Sequence, residues 1–436
     1  QRRASAGIVP EEIWDMNSHG SIGALIASLA RKKGDKAFYI SADSGQILSY
    51  ERLYRQCLRL GRQFSLLGFS AGDKVSVYMP NCEQTASLLL GIMAWGLVAN
   101  PINLMSQPTQ LRHVLRHSDT RLVFTTRDLA PALEPLLAEI ERPIRLVLVD
   151  SIGGELPVFA DDAQAGVNPA AGLEAVRRDW DALLMYTSGT TGIPKGVLLT
   201  QENLLENAWN ISREHRLSES DRVLGSLPLY HINGLVVTIL APLVHEGSVV
   251  MTARFSVATF WLEASRHECT WINVVPTIIA YLLNDRTNHG SLDLSRLRFC
   301  RSASSALSPE HLLAFEKRFG IGIIETMGLT ETAAPAFSNP YPIEQRKIGS
   351  VGKPSGMKAR VVDDAGRIVP NGERGEIVLS GKNVMRGYYK DPVRTQEAFT
   401  CDGWLRTGDI GYQDDNGFFY VIGRAKELII KGGENI

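Results

Sequence analysis

The chain lacks several features that would assign it to common protein classes. Its 436 residues contain only five cysteines, which are scattered and form no Cys-x-x-Cys pair. This usage argues against a disulfide framework or a cysteine zinc site and predicts reduced thiols in the cytoplasm. Charge is nearly balanced, with 46 basic and 47 acidic residues. We therefore expect no strongly basic surface and no nucleic acid partner.

Long apolar runs and targeting signals are also missing. The longest apolar run, residues 88–99, is too short to span a bilayer and includes two glycines. Gln1 leads into no apolar core, so no secretory signal is present. Because the chain does not start with methionine and its final Gly-Gly-Glu-Asn-Ile does not resemble a natural end, we expect further residues beyond both ends.

Two frequent site motifs are absent as well. His113 and His117 lie four residues apart on a predicted helix, but the glutamate of a His-Glu-x-x-His zinc motif is missing, which predicts a surface pair. No Walker A loop is present, because Gly192 is separated from Lys195 by Ile193 and Pro194 and no hydroxyl residue follows the lysine. A P-loop nucleoside triphosphatase is therefore disfavoured.

The order of apolar and amphipathic segments predicts an α/β fold. Strand-length apolar runs alternate with helical patterns through the first three quarters of the chain, which favours two helix-covered, mostly parallel sheets. We predict a first α/β subdomain over 1–170, a second with the phosphate loop over 171–348, and a small β subdomain over 349–423. In the second subdomain, the predicted strands are 182–187, 223–227, 248–251, 271–274, 297–302 and 322–325, and the predicted helices are 202–215, 235–245, 257–267, 277–285 and 309–319.

The most informative segment is YTSGTTGIPKG at residues 186–196, directly after an apolar strand. Glycines let backbone N–H groups approach an oxyanion, the hydroxyls add donors, and Lys195 adds a positive charge. A serine- and glycine-rich surface turn is the alternative interpretation. We predict a loop that holds a polyphosphate.

Four further segments bear on function: PLYHINGL at 228–235, ETMGLTE at 325–331, LRTGD at 405–409 and GRAKELIIKGGENI at 423–436. Each alone is compatible with a structural role. His231 could be a hydrogen-bonded structural histidine, and Thr330 and Glu331 suit the first turn of a helix. Lys426 could be an ordinary surface lysine.

Together, and in this order, the five segments resemble the adenylate-forming superfamily of acyl-CoA synthetases, firefly luciferases and peptide-synthetase adenylation domains. The resemblance runs from about Ser49 to the last residue, and residues 228–307 are most similar to the group of 4-coumarate and oxalate CoA ligases. It implies a large N-terminal domain. The family's small C-terminal domain, with its catalytic lysine, has no counterpart here beyond a hinge and a first segment at 424–436.

The resemblance also implies residue roles. The phosphate loop corresponds to Thr187, Ser188, Gly189, Thr190, Thr191, Gly192 and Lys195. Further nucleotide contacts correspond to Ser304, Ser305, Ala306, Glu325, Thr326, Met327, Asp409 and Arg424, the last two at the ribose. The acyl pocket corresponds to His231, Val236, Ser302, Met327, Gly328 and Ala333. Glu331 matches the magnesium-associated glutamate, Thr330 a residue near the α-phosphate, and Lys426 the hinge.

These assignments predict an ATP-dependent acid–CoA ligase with Lys195, Thr330, Glu331 and His231 as its catalytic residues. A carboxylate would attack the α-phosphorus of ATP to give acyl-AMP and pyrophosphate, and the thiol of coenzyme A would then displace AMP. The carboxylate is itself the nucleophile, so catalysis needs positioning and charge neutralisation by Lys195 and Mg²⁺ more than a general base. The pocket residues favour a small or medium acid. Two alternatives stay open: an acyl-AMP ligase that loads a carrier protein, and a nucleotide- or acid-binding module without turnover.

Overall fold

The computed structural model describes residues 20–152, 155–160, 173, 175–187, 192–287, 290–424, 430–431 and 434–435. Its α-helices are α1 (Ile22–Lys33), α2 (Tyr50–Leu66), α3 (Glu83–Ala94), α4 (Pro108–His117), α5 (Ala130–Ala138), α6 (Gln201–Glu214), α7 (Ala241–Val244), α8 (Val257–Arg266), α9 (Pro276–Asn284), α10 (Pro309–Phe319) and α11 (Pro392–Glu397). A π-helix spans Asn233–Leu240, and short 3₁₀ turns span Thr330–Thr332 and Ile343–Gln345.

The strands are β1 (Ala37–Ser41), β2 (Ile47–Ser49), β3 (Lys74–Tyr78), β4 (Val98–Pro101), β5 (Thr120–Thr125), β6 (Arg145–Leu148), β7 (Asp181–Thr187), β8 (Lys195–Thr200), β9 (Arg222–Gly225), β10 (Ser248–Met251), β11 (Trp271–Val274), β12 (Phe299–Ser302), β13 (Ile323–Leu329), β14 (Ala334–Ser338), β15 (Lys353–Pro354), β16 (Lys358–Val362), β17 (Gly375–Ser380), β18 (Gly387–Tyr388), β19 (Leu405–Gln413), β20 (Phe419–Arg424), β21 (Ile430–Lys431) and β22 (Glu434–Asn435).

Two large sheets form the body of the molecule. One has nine strands in the order β15-β14-β13-β12-β11-β9-β10-β1-β2, parallel from β13 to β1 and antiparallel at both edges. The other has seven strands in the order β18-β8-β7-β4-β3-β5-β6, parallel from β7 to β6. The predicted fold of two mostly parallel sheets is confirmed.

Helices pack on both faces of each sheet. The largest buried cluster joins side chains from α1, α2, α3, α6 and the π-helix to both sheets, so this group lies between them. A second cluster packs α8, α9 and α10 on the other face of the nine-stranded sheet, and a third packs α4 and α5 on the seven-stranded sheet. This layering follows from strands that are apolar on both faces.

The sheets do not follow the predicted boundary at residue 170. β1 and β2, which precede it, belong to the nine-stranded sheet, whereas β7 and β8, which follow it, belong to the seven-stranded sheet. Beyond residue 348, β16, β17, β19 and β20 form the small antiparallel sheet predicted for that region. However, β15 and β18, which also follow residue 348, are edge strands of the two large sheets. Both large sheets are therefore assembled from distant parts of the chain.

Local chemistry explains how well the element bounds were predicted. The helix α10 has its predicted bounds because Ser308 caps it with its side chain, Pro309 occupies the first turn, and Gly320 ends it in the left-handed conformation. The helix predicted over 235–245 is instead the π-helix Asn233–Leu240 followed by α7. In the described part of the chain, no helix is both long and apolar enough to cross a membrane.

Candidate active site

Two hairpin tips, one from each large sheet, meet at the candidate site. In the first, β7 and β8 pair antiparallel so that Thr187 faces Lys195 across the open end. The predicted phosphate loop is the connection between these two strands. In the second, the turn Thr330–Thr332 joins β13 to β14, which also pair antiparallel. Residues Ser188, Gly189, Thr190 and Thr191 lie outside the described residues, as does the predicted hinge Lys426.

Lys195, Glu331 and Tyr388 form a hydrogen-bonded cluster between the two tips. The Lys195 ammonium donates to Glu331 Oε1 at 3.0 Å and to Tyr388 Oη at 2.5 Å, and Tyr388 Oη donates to the same Glu331 oxygen at 2.7 Å. Burial, followed by the nearby Glu331 carboxylate, raises the pKa of Tyr388, which keeps its hydroxyl protonated. The Lys195 and Glu331 side chains are only 26% and 12% exposed. An ammonium ion, a carboxylate and a neutral hydroxyl are thus fixed together at a junction of the sheets.

Tyr388 was not predicted as a site residue. It lies on the two-residue strand β18, which pairs with β8 so that Tyr388 faces Val197. The same segment reaches the other tip, because the Met385 N–H donates to the Glu331 carbonyl at 2.8 Å. The sequence Gly-Tyr-Tyr-Lys at 387–390 was the available signal, but the partner strand is almost two hundred residues away in the chain.

The turn that carries Glu331 is braced from the interior. Buried Asn207 of α6 donates its side-chain amide to the carbonyls of Thr332, at 2.6 Å, and Pro335, at 3.1 Å. Gly328 lets β13 and β14 approach closely, because a Cβ there would lie 2.2 Å from the Ala334 carbonyl oxygen. Ala333 has a left-handed φ of 56°. The carboxylate therefore sits on a rigid, locally strained turn.

The segment after β9 places His231 at the start of the π-helix. His231 is exposed and contacts the Tyr230 ring with centroids 4.8 Å apart. Desolvation by neighbouring atoms lowers the pKa of His231, which favours the neutral imidazole. Position 234, three residues after His231, requires a glycine, because a Cβ there would lie 2.1 Å from the Pro228 carbonyl oxygen. Val236, predicted in the acyl pocket, is fully buried on the π-helix.

A second polar cluster lies beneath the π-helix, and sequence reasoning missed it. Arg301 of β12 donates from Nη1 to the side-chain oxygens of Asn233, at 2.9 Å, and Asn273, at 2.8 Å. Asn233 donates in turn to Ser304 Oγ at 3.1 Å. Arg301 is only 1% exposed. The available signal was an arginine inside a strand otherwise predicted to be buried.

The carboxyl ends of β12 and β13 carry further buried polar groups. Ser302 and Glu325 face each other in register. Within the described residues, Ser302 Oγ and Glu325 Oε2 have no hydrogen-bond partner, while Glu325 Oε1 accepts from the Leu307 N–H at 3.2 Å. Burial raises the pKa of Glu325 to about 7. Open sheets of this kind bind ligands beyond the carboxyl ends of their parallel strands.

The remaining predicted nucleotide contacts lie on β13, in the segment after β12 and on the small antiparallel sheet. Ser304, Ser305 and Ala306 are exposed after β12, and Met327 is half-buried on β13. Asp409 is buried on β19, and its Oδ1 pairs with Arg424 Nε of β20 at 2.7 Å. Thr326 is buried, and Thr330 is half-buried beside Glu331. Two of the predicted site pairs are therefore in contact in the structure. Lys195 forms an ion pair with Glu331, and Asp409 forms a separate ion pair with Arg424.

The histidine pair predicted at the surface is half-buried beside the phosphate loop. His113 and His117 stack with centroids 5.1 Å apart on α4. His113 Nε2 lies 3.0 Å from the Pro194 carbonyl oxygen, and His117 Nδ1 lies 2.8 Å from Tyr186 Oη. Among the described residues, no group of three or more histidine, cysteine or acidic side chains is arranged to hold a metal. The pair therefore packs against both ends of the loop.

The chain is similar to known proteins over most of its length. The profile of the AMP-binding enzyme family matches residues 26–389. A sulfoacetate–CoA ligase from Cupriavidus necator is 58% identical over 416 residues, which cover 95% of this chain and 80% of that protein. An oxalate–CoA ligase from Arabidopsis thaliana is 34% identical over 421 residues, which cover 95% of this chain and 81% of that protein.

A solved structure has the same fold. The crystal structure of ATP-bound MatB from Rhodopseudomonas palustris matches with a TM-score of 0.82 at 26% identity, covering 95% of this chain and 81% of that one. The predicted resemblance to adenylate-forming enzymes is confirmed. The chain belongs to the AMP-binding enzyme family, and its activity is the ATP-dependent ligation of an acid to coenzyme A.

Proposed function

We propose that the acid is sulfoacetate, or another short acid of the same charge, and that the cluster of Lys195, Glu331 and Tyr388 marks where it is adenylated. The identity of the acid is supported by the relative from Cupriavidus necator, which is similar over nearly the whole chain. The observation that carries the site is the pairing of Lys195 and Glu331 between tips of different sheets. Such a junction can hold the two reactants of the first step side by side.

The chemistry follows from the charges. In the first step, a carboxylate oxygen of the acid forms a bond to the α-phosphorus of ATP while the bond to the leaving pyrophosphate breaks. In the second step, the thiol sulfur of coenzyme A attacks the acyl carbon, loses its proton, and AMP leaves. The first step brings an anion to a triphosphate, so its barrier is mainly electrostatic. Lys195 would supply a positive charge at the end of the phosphate loop, and Thr330, which directly precedes Glu331, would supply a hydroxyl donor.

The site residues fit a magnesium ion. Mg²⁺ is usually bound through one or two carboxylates together with substrate phosphates, and it prefers hard oxygen ligands. Glu331 offers such a carboxylate: its Oε1 is engaged by Lys195 and Tyr388, and its second oxygen remains for a cation. The ion would neutralise phosphate charge in this position. Tyr388 and Lys195 would hold the carboxylate in one orientation.

The other site residues have proposed roles on both sides of this centre. Asp409 would accept the ribose hydroxyls, with Arg424 holding its Oδ1. His231 would lie beside the acid carboxylate, as its position before the π-helix permits. Met327 would pack on adenine through its polarizable sulfur. The five cysteines are free, which supports a reducing compartment such as the cytoplasm.

Acid-dependent exchange of pyrophosphate into ATP tests the first step. We expect exchange with sulfoacetate in the full-length protein, and formation of sulfoacetyl-CoA once coenzyme A is added. Exchange without thioester formation, with product found on an added carrier protein, would instead identify a carrier-loading ligase. No exchange with any acid in a panel of short, branched, dicarboxylic and aromatic acids would contradict the proposal and favour a binding module.

A further inference from the structure

Arg301 is a buried cation without an anionic partner among the described residues. Within the described residues it donates only to the neutral side chains of Asn233 and Asn273, both through Nη1. Its Nε is buried without a hydrogen-bond partner in the described part of the chain. Burial lowers the pKa of the guanidinium to about 9, so the group is still charged at neutral pH. Buried charges are normally paired, and an unpaired one is a costly feature to keep in a sheet.

The side chains that hydrogen-bond to Arg301 are polar but uncharged. Asn273 lies opposite Arg301 in register on β11, and Asn233 reaches down from the first turn of the π-helix. Both asparagines direct their side-chain oxygens at the guanidinium and so fix its orientation. Neither neutralises it. Both hydrogen bonds are made by Nη1, while Nε is buried without a hydrogen-bond partner within the described residues.

Arg301 contacts the segment that carries two of the proposed acyl-pocket residues. Its partner Asn233 lies between His231 and Val236 in the chain. Asn233 also bonds Ser304, on the predicted nucleotide side. The guanidinium is therefore linked through Asn233 to Ser304, a residue assigned to the nucleotide. It lies near the carboxyl end of β12, where ligands of such sheets bind.

We propose that Arg301 binds a second anionic group, a carboxylate or a sulfonate, on a short acid whose first carboxylate is adenylated. This inference rests on the ligase function proposed above and adds the residue that selects the substrate class. Guanidinium groups bind planar carboxylates and other oxyanions through paired N–H donors. Arg301 has such a donor available in Nε, which has no hydrogen-bond partner within the described residues. Because Arg301 is held deep beneath the π-helix by two fixed asparagines, it cannot reach outward to a distant group. The selected acids are therefore short dianions.

The first test compares two acids that differ in one charge. Sulfoacetate carries a sulfonate, whereas methylsulfonylacetate carries an uncharged sulfonyl group of similar size. In the full-length protein we expect pyrophosphate exchange to favour sulfoacetate. With Arg301→Met, kcat/KM for sulfoacetate should fall by about 10- to 100-fold, the loss expected for hydrogen bonds to a charged group. The kcat/KM for methylsulfonylacetate should change by less than about 3-fold. The same measurement with malonate and oxalate shows whether a carboxylate can replace the sulfonate.

A second variant keeps the test decisive if Arg301→Met does not fold. Asn273→Asp replaces an amide by a carboxylate of the same shape, 2.8 Å from Arg301 Nη1. This internal partner should neutralise the guanidinium, so KM for sulfoacetate should rise by about 10-fold or more while methylsulfonylacetate is unaffected. Arg222→Met is the matched control. Arg222 is the first residue of β9, at the amino ends of the parallel strands in the same sheet, and it donates to Ser248 Oγ and the His267 carbonyl.

The outcomes separate the two proposals. Selective loss of dianion use in Arg301→Met or Asn273→Asp, with Arg222→Met unchanged, supports the inference. Equal losses for both acids, or no loss in either variant, would overturn it and leave the ligase function standing. If the unaltered protein exchanges pyrophosphate with no acid at all, the proposed function fails and the inference fails with it.

Discussion

Replacing Tyr388 by phenylalanine is the most revealing single change at the candidate site. It removes only the hydroxyl that donates to Glu331 Oε1 at 2.7 Å and accepts from Lys195 at 2.5 Å. A hydrogen bond to a charged group is worth about 1.5–3 kcal/mol, and about 1.4 kcal/mol of barrier corresponds to a tenfold rate change. We expect kcat/KM for acid-dependent pyrophosphate exchange to fall by about 10- to 100-fold.

The magnesium dependence distinguishes a positioning role from a merely structural one. Without the tyrosine, Glu331 is held at this oxygen by Lys195 alone, so its second oxygen should be presented less well to a cation. The Mg²⁺ concentration for half-maximal exchange should therefore rise, while the urea midpoint of unfolding changes little. Exchange kinetics identical to those of the unaltered protein would refute the reasoning.

The neighbouring residue supplies a matched control. Tyr389 Oη donates to Asp119 Oδ2 at 2.7 Å, and Lys390 pairs with the same oxygen at 2.6 Å. This trio repeats the chemistry of the site cluster, but the Lys390 and Asp119 side chains are 45% and 41% exposed. Exposed ion pairs contribute little. Tyr389→Phe should therefore leave exchange and its Mg²⁺ dependence within about 2-fold of the unaltered protein.

Three further predictions concern the nucleotide side, pH and stability. Asp409→Ala should raise KM for ATP by about 10-fold or more, because it removes the proposed ribose acceptor. The same change at Asp414, which directly follows β19 and pairs with Lys347, should leave KM for ATP unchanged. Steady-state kinetics of both variants check this prediction. Because burial raises the pKa of Glu325 from 4.5 to about 7, the folded state holds a proton that the unfolded state releases between these values. The free energy of unfolding should thus fall by up to about 3 kcal/mol as pH rises through this window, and Glu325→Gln should remove the fall and unfold at higher urea at pH 8. Asn207→Ala removes the side-chain donor of the buried Pro335 carbonyl and the shorter of the two side-chain hydrogen bonds to the Thr332 carbonyl, which keeps Asn383 as a donor. It should therefore cost about 2 kcal/mol in urea unfolding; an unchanged midpoint would contradict the bracing role.

The sequence predicted the parts of the fold that depend on local chemistry. The α10 helix is delimited by Ser308 and Gly320, and strands β10 and β11 are short apolar runs whose bounds match the prediction. The strand β19 runs on through Gly408, because a glycine with a positive φ of 72° is tolerated within it. Caps, turns and periodicity are visible in a window of a few residues.

What the sequence could not predict depends on distant pairing. Nothing local shows that β1 pairs with β10, or that the two residues of β18 add an edge to β8 and so bring Tyr388 to Glu331. The burial of Arg301 is hidden for the same reason. An arginine inside a strand is compatible with an exposed edge, and only the register with Asn273 and the π-helix above it shows an enclosed charge.

The most direct test is a crystal structure of the protein with a non-hydrolysable acyl-adenylate analogue and Mg²⁺. The account predicts that the group replacing the α-phosphate lies between Lys195 and Thr330, and that the ribose hydroxyls lie on Asp409. An analogue bound at another surface, with the cluster of Lys195, Glu331 and Tyr388 unchanged and out of contact, would contradict it.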